Sequence, residues 1–551
     1  MKPQVDYSLY LVTDSTDAIL GSRDLVEVVE QALRGGVTIV QYRDKTSDTG
    51  ALISTGLKLH AVCKKYNIPL LINDRVDVAL AVGCEGVHVG QDDMKVSAAR
   101  QLLGPDKIIG ATVSSVEEAR IAVDQGADYL GIGTLYATAT KKNTKDIIGI
   151  TGIRAILAAL DSAADEAARN VKTVCIGGVN ASNLQRVVYK LLAPSPDRQS
   201  PKTIDGVAVV SAIIGAPDPE SASSHLLKLF KAPPPWTAGS TAPFFTLHNP
   251  ADEIAHVLRI AATCTAAVRA ASPLSHNMTN LVVQNFAANV ALAIGASPIM
   301  ANYGAEAGDL ANLGGALVVN MGTVTPDGLA NYIQAIDAYN AVGGPIVLDP
   351  VGAGATQVRR DALKQLLGRG YFDLIKGNEA EIVQVALTSG LAPGSPTTQQ
   401  KGVDSSSALS LPDRAALASR LAARERCIVL LTGATDVLSD GARTFLVSNG
   451  HAVLGSVTGT GCTLGTTLSA YLAANRGDKL LAALAGVLHF EIAAERAVKA
   501  RTVNLVRGPG TFVPSFLDEL YLFDREGVWS VDWAKEARVE SWRGEEREDD
   551  E

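Results

Sequence analysis

The most restrictive feature of this chain is a unit that recurs eight times between Leu9 and Ile213. Each unit is a short, largely β-branched apolar run that ends in polar or glycine residues and passes into a helical stretch. The runs are "LYLVTD", "TIVQYRD", "PLLIND", "GVHVG", "KIIGATV", "YLGIGTL", "KTVCIGGV" and "GVAVVSAI". Strands that are apolar along their whole length need cover on both faces, so these predict a parallel sheet wrapped in helices. Eight of them in about 210 residues predict an α/β fold, a (βα)8 TIM barrel with its chemistry at the C-terminal ends of the strands.

The remaining length needs a second core. At 551 residues the chain exceeds one ordinary hydrophobic core, and with 47% hydrophobic and 19% charged residues it can fill two. Prolines and small residues in "KAPPPWTAGSTAPFF" mark residues 231–245 as a linker between a barrel over 1–230 and a second domain over 246–540. Within that domain "GALVVNMGT", "PIVLDPVG", "LIKGN" and "CIVLLTG" alternate with helical stretches. They predict an open, mostly parallel sheet covered by helices. Residues 388–410 read as a loop insertion, and 541–551 as a solvated acidic tail.

A net charge of −9 speaks against a nucleic-acid partner. No run approaches the roughly 18 apolar residues of a membrane span, and "MKPQVDYSLYLVTD" lacks the apolar core of a signal peptide. The six cysteines show no C-x-x-C spacing and read as reduced thiols, which predicts a cytoplasmic setting.

Polar residues collect where the predicted barrel strands end. Gln41, Arg43 and Lys45 follow the second strand, Asn73 and Asp74 the third, and Asp93 the fourth. Thr138, Thr140 and Lys141 follow the sixth. Two carboxylates from adjacent strand ends suit a hard cation such as Mg²⁺, completed by water and phosphate oxygens. The cations and the threonine-rich loop suit a pyrophosphate held against that metal. Gly177, Gly178 and "VVSAI" close the last two strands with small residues that admit a second phosphate. A metal, a pyrophosphate cradle and a separate monophosphate cradle imply two phosphorylated substrates, one displacing pyrophosphate from the other.

"YLVTD", "VQYRDK", "INDRVDVALA", "GVHVGQDD", "ATATKK" and "GVAVVSAI" together resemble thiamine phosphate synthase over residues 5–230. The resemblance implies that Gln41, Arg43, Lys45, Asn73 and Lys141 hold an aminopyrimidine diphosphate and that Asp74 and Asp93 bind Mg²⁺. It further implies that Thr138, Thr140, Gly178, Val210 and Ser211 hold a thiazole phosphate, whose nitrogen captures the pyrimidine cation. Tyr42 and Thr112 depart from the family's commoner leucine and serine. Thr112 keeps the hydroxyl on the pyrimidine side.

In the second half, Asn320, Asp349, Lys376, Asn378, Glu379 and Thr432 cluster at strand ends. Asp349 and Glu379 suit Mg²⁺ beside a nucleotide, with Lys376 and Thr432 near its phosphates. "SPLSHNMTNLVVQNFAANVALAIGASPIM", "VLDPVGAGAT", "IKGNEAEI", "LTGATDVLSDG" and "VTGTGC" resemble hydroxyethylthiazole kinase over residues 250–515. That resemblance implies a ribokinase-like fold, ATP as co-substrate, and His276, Asn280 and Met300 around the thiazole alcohol. It also implies a homotrimer with sites at subunit interfaces.

"SVTGTGCTLG" runs from a glycine turn into a helix and suits an anion at the helix N-terminus. Cys462 stands where related sugar kinases place an aspartate. It is expected to orient the alcohol and take its proton, with its pKa lowered by the helix, while amides from Gly459 to Gly461 bind the transferring phosphoryl group. Two motif sets that fall on consecutive steps predict a bifunctional enzyme of thiamine biosynthesis. The competing readings are a tautomerase-like barrel or a noncatalytic precursor-binding barrel joined to an active kinase.

Overall fold

The computed structural model describes residues 2, 4–136, 147–192, 202–239, 250–391, 409–499, 506–523 and 532–544. Thr138, Thr140 and Lys141, most of the expected loop insertion and the end of the acidic tail lie outside the described residues. The chain forms two compact units, Met1–Pro234 and Pro235–Glu551.

In the first unit all eight expected strands form: β1 (Leu9–Val12), β2 (Ile39–Tyr42), β3 (Leu70–Asn73), β4 (Gly86–Val89), β5 (Ile108–Val113), β6 (Tyr129–Ile132), β7 (Lys172–Ile176) and β8 (Gly206–Val209). They pair in sequence order, all parallel, and β8 returns to β1 to close the barrel. Alternation divides the core into two layers. Tyr10, Ile39, Leu71, Ile108, Tyr129 and Val174 fill the inside of the barrel, whereas Leu9, Leu11, Val40, Leu70, Ile109 and Leu130 pack outward under the helices. Helix starts are set by side chains: Asp24 accepts the Val26 and Glu27 amides, and Asp48 accepts that of Ala51.

Among the described residues the second unit holds nine strands: β9 (Leu274–Met278), β10 (Ser297–Ile299), β11 (Ala316–Asn320), β12 (Ile346–Asp349), β13 (Leu374–Asn378), β14 (Ile428–Thr432), β15 (Asp436–Ser439), β16 (Thr444–Val447) and β17 (Val539–Ser541). Their order is β10-β9-β11-β12-β13-β14-β15-β16-β17, parallel through β14 and antiparallel beyond it. The four expected strands are β11 to β14. "LSHNM" forms a further strand, β9, in which alternate residues serve opposite faces of the sheet. Ser275 and Asn277 bond Ser469 and Thr466 of the helix Thr460–Ala474, at 2.6 and 2.7 Å. His276 turns the other way, to Tyr339 of the helix Pro326–Val342.

Both ends of the unit hold residues that composition alone assigns to linker or tail. Trp236 is buried and stacks on Tyr371 at 5.0 Å, and Ser541 pairs with Phe445 in the edge strand. Among the described residues one helix, Glu253–Ala271, is long and apolar enough to cross a membrane. Its face of Val257, Leu258, Ala261, Cys264 and Val268 is buried in the unit's core.

Candidate active sites

The mouth of the barrel is a cavity of about 210 Å³ that brings together residues from every strand. Gln41, Arg43, Lys45, Asn73, Asp74, Asp93 and Thr112 line it, and so do Gly178, Val210 and Ser211. A closed parallel barrel produces this convergence, because inward-facing residues at and just beyond the C-terminal ends of its strands point toward one axis.

Charge is unevenly placed in that cavity. Asp74 adopts a left-handed backbone (φ 60°) and donates its amide to the His88 carbonyl at 2.8 Å, which turns its carboxylate inward toward the Lys45 ammonium that pairs with it. Asp93 accepts the Gly90 amide at 2.8 Å, and burial, reinforced by the neighbouring Asp74 carboxyl, pushes its pKa up. Arg43 faces the buried Asp14 carboxylate at 3.6 Å. Opposite, Gly177 and Gly178 hold φ of 114° and 70°. A Cβ on Gly177 would stand 2.5 Å from Thr134 Cγ2, so only glycine lets the backbone approach there.

The floor of the cavity carries residues that no motif reasoning singled out: Tyr10, His88 and Tyr129. Their signal was a polar or aromatic residue at an inward position of an otherwise apolar strand, as in "GVHVG". Gln41 Nε2 donates to Tyr10 Oη at 2.9 Å, and Tyr10 Oη lies 2.6 Å from Tyr129 Oη. His88 bridges Tyr129 Oη and Thr112 Oγ1, each at 2.8 Å.

The second unit assembles its site at the carboxyl ends of β11 to β14. Gly459, with φ 93°, caps the helix Thr460–Ala474, and Cys462 follows in its first turn. Beneath it lies a continuous chain. Asn280 Nδ2 reaches Cys462 Sγ at 3.5 Å and Asn320 Oδ1 at 3.2 Å; Asn320 Nδ2 donates to Asp349 Oδ2 at 2.8 Å; Lys376 Nζ pairs with Asp349 Oδ1 at 2.9 Å. Asn378 and Thr432 sit side by side where β13 and β14 end, and Met300 follows the end of β10.

Four expectations change at this point. The Cys462 thiol is pushed up to about 11, not lowered, because burial and the Asp349 carboxylate outweigh Lys376 and the two asparagines. Lys376 is itself buried against Asp349, so its ammonium is committed before any phosphate arrives. Glu379 accepts the Leu409 amide at 3.2 Å and faces Arg414 at 3.9 Å. With both Asp349 oxygens also engaged, the two carboxylates do not fit a resident metal. Finally, His276 is fully buried, its Nε2 2.8 Å from the Ala301 carbonyl oxygen, on the sheet face away from Cys462.

Two further residues shape this site. Glu381 accepts the amides of Gly352 and Asn378, each at 2.9 Å, tying the end of β12 to that of β13. Its spacing from Asn378 is a capping-box signature that could have been read in "NEAE". Arg359 donates to the carbonyls of Met321, Gly322 and Val351 and stitches the loops after β11 and β12. No sequence signal marks that role.

The chain thus carries two separate sites, a carboxylate-bearing barrel mouth and a thiol at a glycine-capped helix. Residues 9–213 match the thiamine monophosphate synthase family, and residues 265–526 match the hydroxyethylthiazole kinase family. Over 544 residues the chain is 41% identical to the probable thiamine biosynthetic bifunctional enzyme of Schizosaccharomyces pombe, covering 98% of this chain and 99% of that protein. It is 36% identical over 566 residues to the thiamine biosynthetic bifunctional enzyme of Saccharomyces cerevisiae, covering 97% and 99%. The thiamine-phosphate synthase of Clostridium novyi is 39% identical over 225 residues, 41% of this chain and 99% of that protein. The chain belongs to the family of thiamine biosynthetic bifunctional enzymes.

Proposed function

We propose that this chain catalyses two consecutive steps of thiamine assembly. The C-terminal unit phosphorylates 4-methyl-5-(2-hydroxyethyl)thiazole with ATP. The barrel joins the resulting thiazole phosphate to 4-amino-2-methyl-5-hydroxymethylpyrimidine diphosphate, releasing pyrophosphate and giving thiamine phosphate. The observation that carries this reading is the single barrel cavity in which Asp74, Asp93, Arg43 and Lys45 share space with the glycine cradle at Gly178 and Ser211.

In the barrel, Gln41, Asn73 and Thr112 hold the pyrimidine, and Arg43, Lys45 and Lys141 neutralise its diphosphate as that group leaves. Gly178, Val210 and Ser211, with Thr138 and Thr140, hold the thiazole phosphate so that its ring nitrogen faces the methylene carbon. Asp74 and Asp93 fit Mg²⁺: two neighbouring carboxyl groups, one already pushed toward protonation by burial and then by the other, are relieved by a shared cation. The bound ion would supply charge to the departing pyrophosphate.

In the kinase unit, Asn280 and Cys462 orient the alcohol, and the amides from Gly459 to Gly461 receive the transferring phosphoryl group. The Cys462 thiol, kept protonated by burial and then by the Asp349 carboxylate, serves as a hydrogen-bonding partner that orients the alcohol. As the alcohol oxygen bonds phosphorus and the bond to the leaving ADP breaks, the alcohol proton passes late to an oxygen of the transferring phosphoryl group, which a loose transition state permits. Met300 borders the thiazole and Thr432 the nucleotide phosphates. Lys376 acts on those phosphates through its field and by compensating Asp349, not by reaching them.

The exposed Leu281 and Val282, directly beyond Asn280, together with exposed Leu292, Tyr303 and Leu313, support assembly into a homo-oligomer. The six cysteines, five of them buried and none in a disulfide, support a reducing, cytoplasmic setting. Mass spectrometry after mixing purified protein with thiazole alcohol, pyrimidine diphosphate, Mg²⁺ and ATP tests the whole reading. Thiamine phosphate should form, and its formation should stop without ATP unless thiazole phosphate is supplied. No product from thiazole phosphate would refute the barrel's assignment.

A further inference from the structure

The five side chains at the floor of the barrel form one uninterrupted hydrogen-bonded path from β2 to β5. Donor counting gives that path a direction. Gln41 Nε2 can only donate, so Tyr10 Oη accepts at 2.9 Å and spends its own hydrogen on Tyr129 Oη at 2.6 Å. Tyr129 in turn spends its hydrogen on His88 Nδ1 at 2.8 Å, which leaves the imidazole hydrogen on Nε2, 2.8 Å from Thr112 Oγ1. Two groups are left over at the ends: the Gln41 carbonyl, an acceptor, and the Thr112 hydroxyl hydrogen, a donor. Both residues line the cavity.

The strands are built around this path. A Cβ on Gly110 would fall 2.1 Å from Tyr129 Cζ, and one on Gly131 would fall 2.9 Å from His88 Cε1, so glycine at each position makes the space its neighbour's ring occupies. Tyr10 and Tyr129 are fully buried, and burial raises both phenols far above neutrality, so they remain neutral relays.

We infer that Tyr10, Tyr129 and His88 are positioning residues that fix the hydrogen-bond polarity of the pyrimidine pocket, an acceptor at Gln41 and a donor at Thr112. The ligand class this selects is a heteroaromatic ring offering an amino hydrogen and an unprotonated ring nitrogen. This rests on the barrel binding the aminopyrimidine, as proposed above. Reversing the Gln41 amide would reverse every link and place Nδ1–H on His88, so the histidine tautomer reports the polarity of the whole path.

The test uses the full chain labelled with ¹⁵N-histidine, with His88→Gln to assign the His88 resonances, and steady-state kinetics of Tyr129→Phe and Tyr10→Phe. His88 should appear at neutral pH as the Nε2–H tautomer. Each phenylalanine variant should raise KM for the pyrimidine diphosphate by about tenfold while KM for thiazole phosphate stays within about twofold. The pyrimidine lacking its amino group should bind the wild type and variants alike. The Nδ1–H tautomer, or equal changes in both KM values, would overturn the inference. Should the wild type form no thiamine phosphate, the proposed activity fails, and the tautomer measurement still decides the direction of the path.

Discussion

The Lys376 ammonium lies 2.9 Å from the Asp349 carboxylate, both almost wholly buried at the ends of neighbouring strands. Asn320 binds the second Asp349 oxygen, and burial pushes that carboxyl's pKa up even against the opposing pull of Lys376 and Asn320. Buried charges of this kind are held in place by each other, since neither is tolerated alone away from water. Lys376→Met should therefore cost the kinase unit about 3–5 kcal/mol, read by chemical denaturation. Thiamine phosphate formation from supplied thiazole phosphate should persist in the same protein, because the barrel has its own core.

Cys462 should behave as a protonated thiol. With its pKa pushed up to about 11, its alkylation near neutral pH should run on the order of a hundredfold slower than that of a free cysteine and climb as the solution becomes alkaline. Cys462→Ala should lower kinase kcat by about tenfold, because it removes the hydrogen bond that orients the alcohol. Cys462→Asp, which keeps a hydrogen-bonding group there, should retain turnover. Loss of kinase activity in that variant with intact folding, or full activity in Cys462→Ala, would leave Cys462 only a packing role.

Glu381 predicts a pH dependence of stability. Burial, and then the Asp349 carboxylate, raise its pKa to about 7 from an ordinary value of 4.5. The folded state thus binds a proton more tightly than the unfolded chain, so this group's contribution weakens as pH rises from about 4.5 to about 7 and stays low above it. Glu381→Gln should flatten that fall in the kinase unit's melting temperature. An unchanged slope would assign the dependence to other groups.

Asp74 and Asp93 should act as one unit. Asp93→Asn should lower synthase kcat/KM by roughly 10²–10³ and weaken Mg²⁺-dependent pyrophosphate binding measured by calorimetry. Kinase activity should stay near the wild-type value. Chelating Mg²⁺ should stop synthase turnover without unfolding the barrel, whose closure depends on strand pairing.

Much of the architecture was legible because it rests on local, repeated signals. Wholly apolar strands such as "LYLV" and "GVAV" demand cover on both faces, and eight of them with helices between leave few alternatives to a closed barrel. The strand-end residues Gln41, Arg43, Asn73, Asp74 and Asp93 followed from the same logic, since a barrel brings its strand ends to one mouth. The outer strands were harder to see: β9, β10 and β15 to β17 are short, and β17 pairs with β16 across a long stretch of chain, so none of them stood out in the sequence as a strand.

What the sequence by itself determined was the order of elements, the pair of units and the chemistry available at each strand end. What only the tertiary structure decided was which polar atoms face one another. It buried Lys376 against Asp349, turned His276 to the sheet face opposite Cys462, raised the thiol that a helix terminus alone would have lowered, and joined Gln41 to Thr112 through three rings. Each of these depends on distances between residues far apart in the chain, and on the loss of water around them, neither of which is encoded in local spacing.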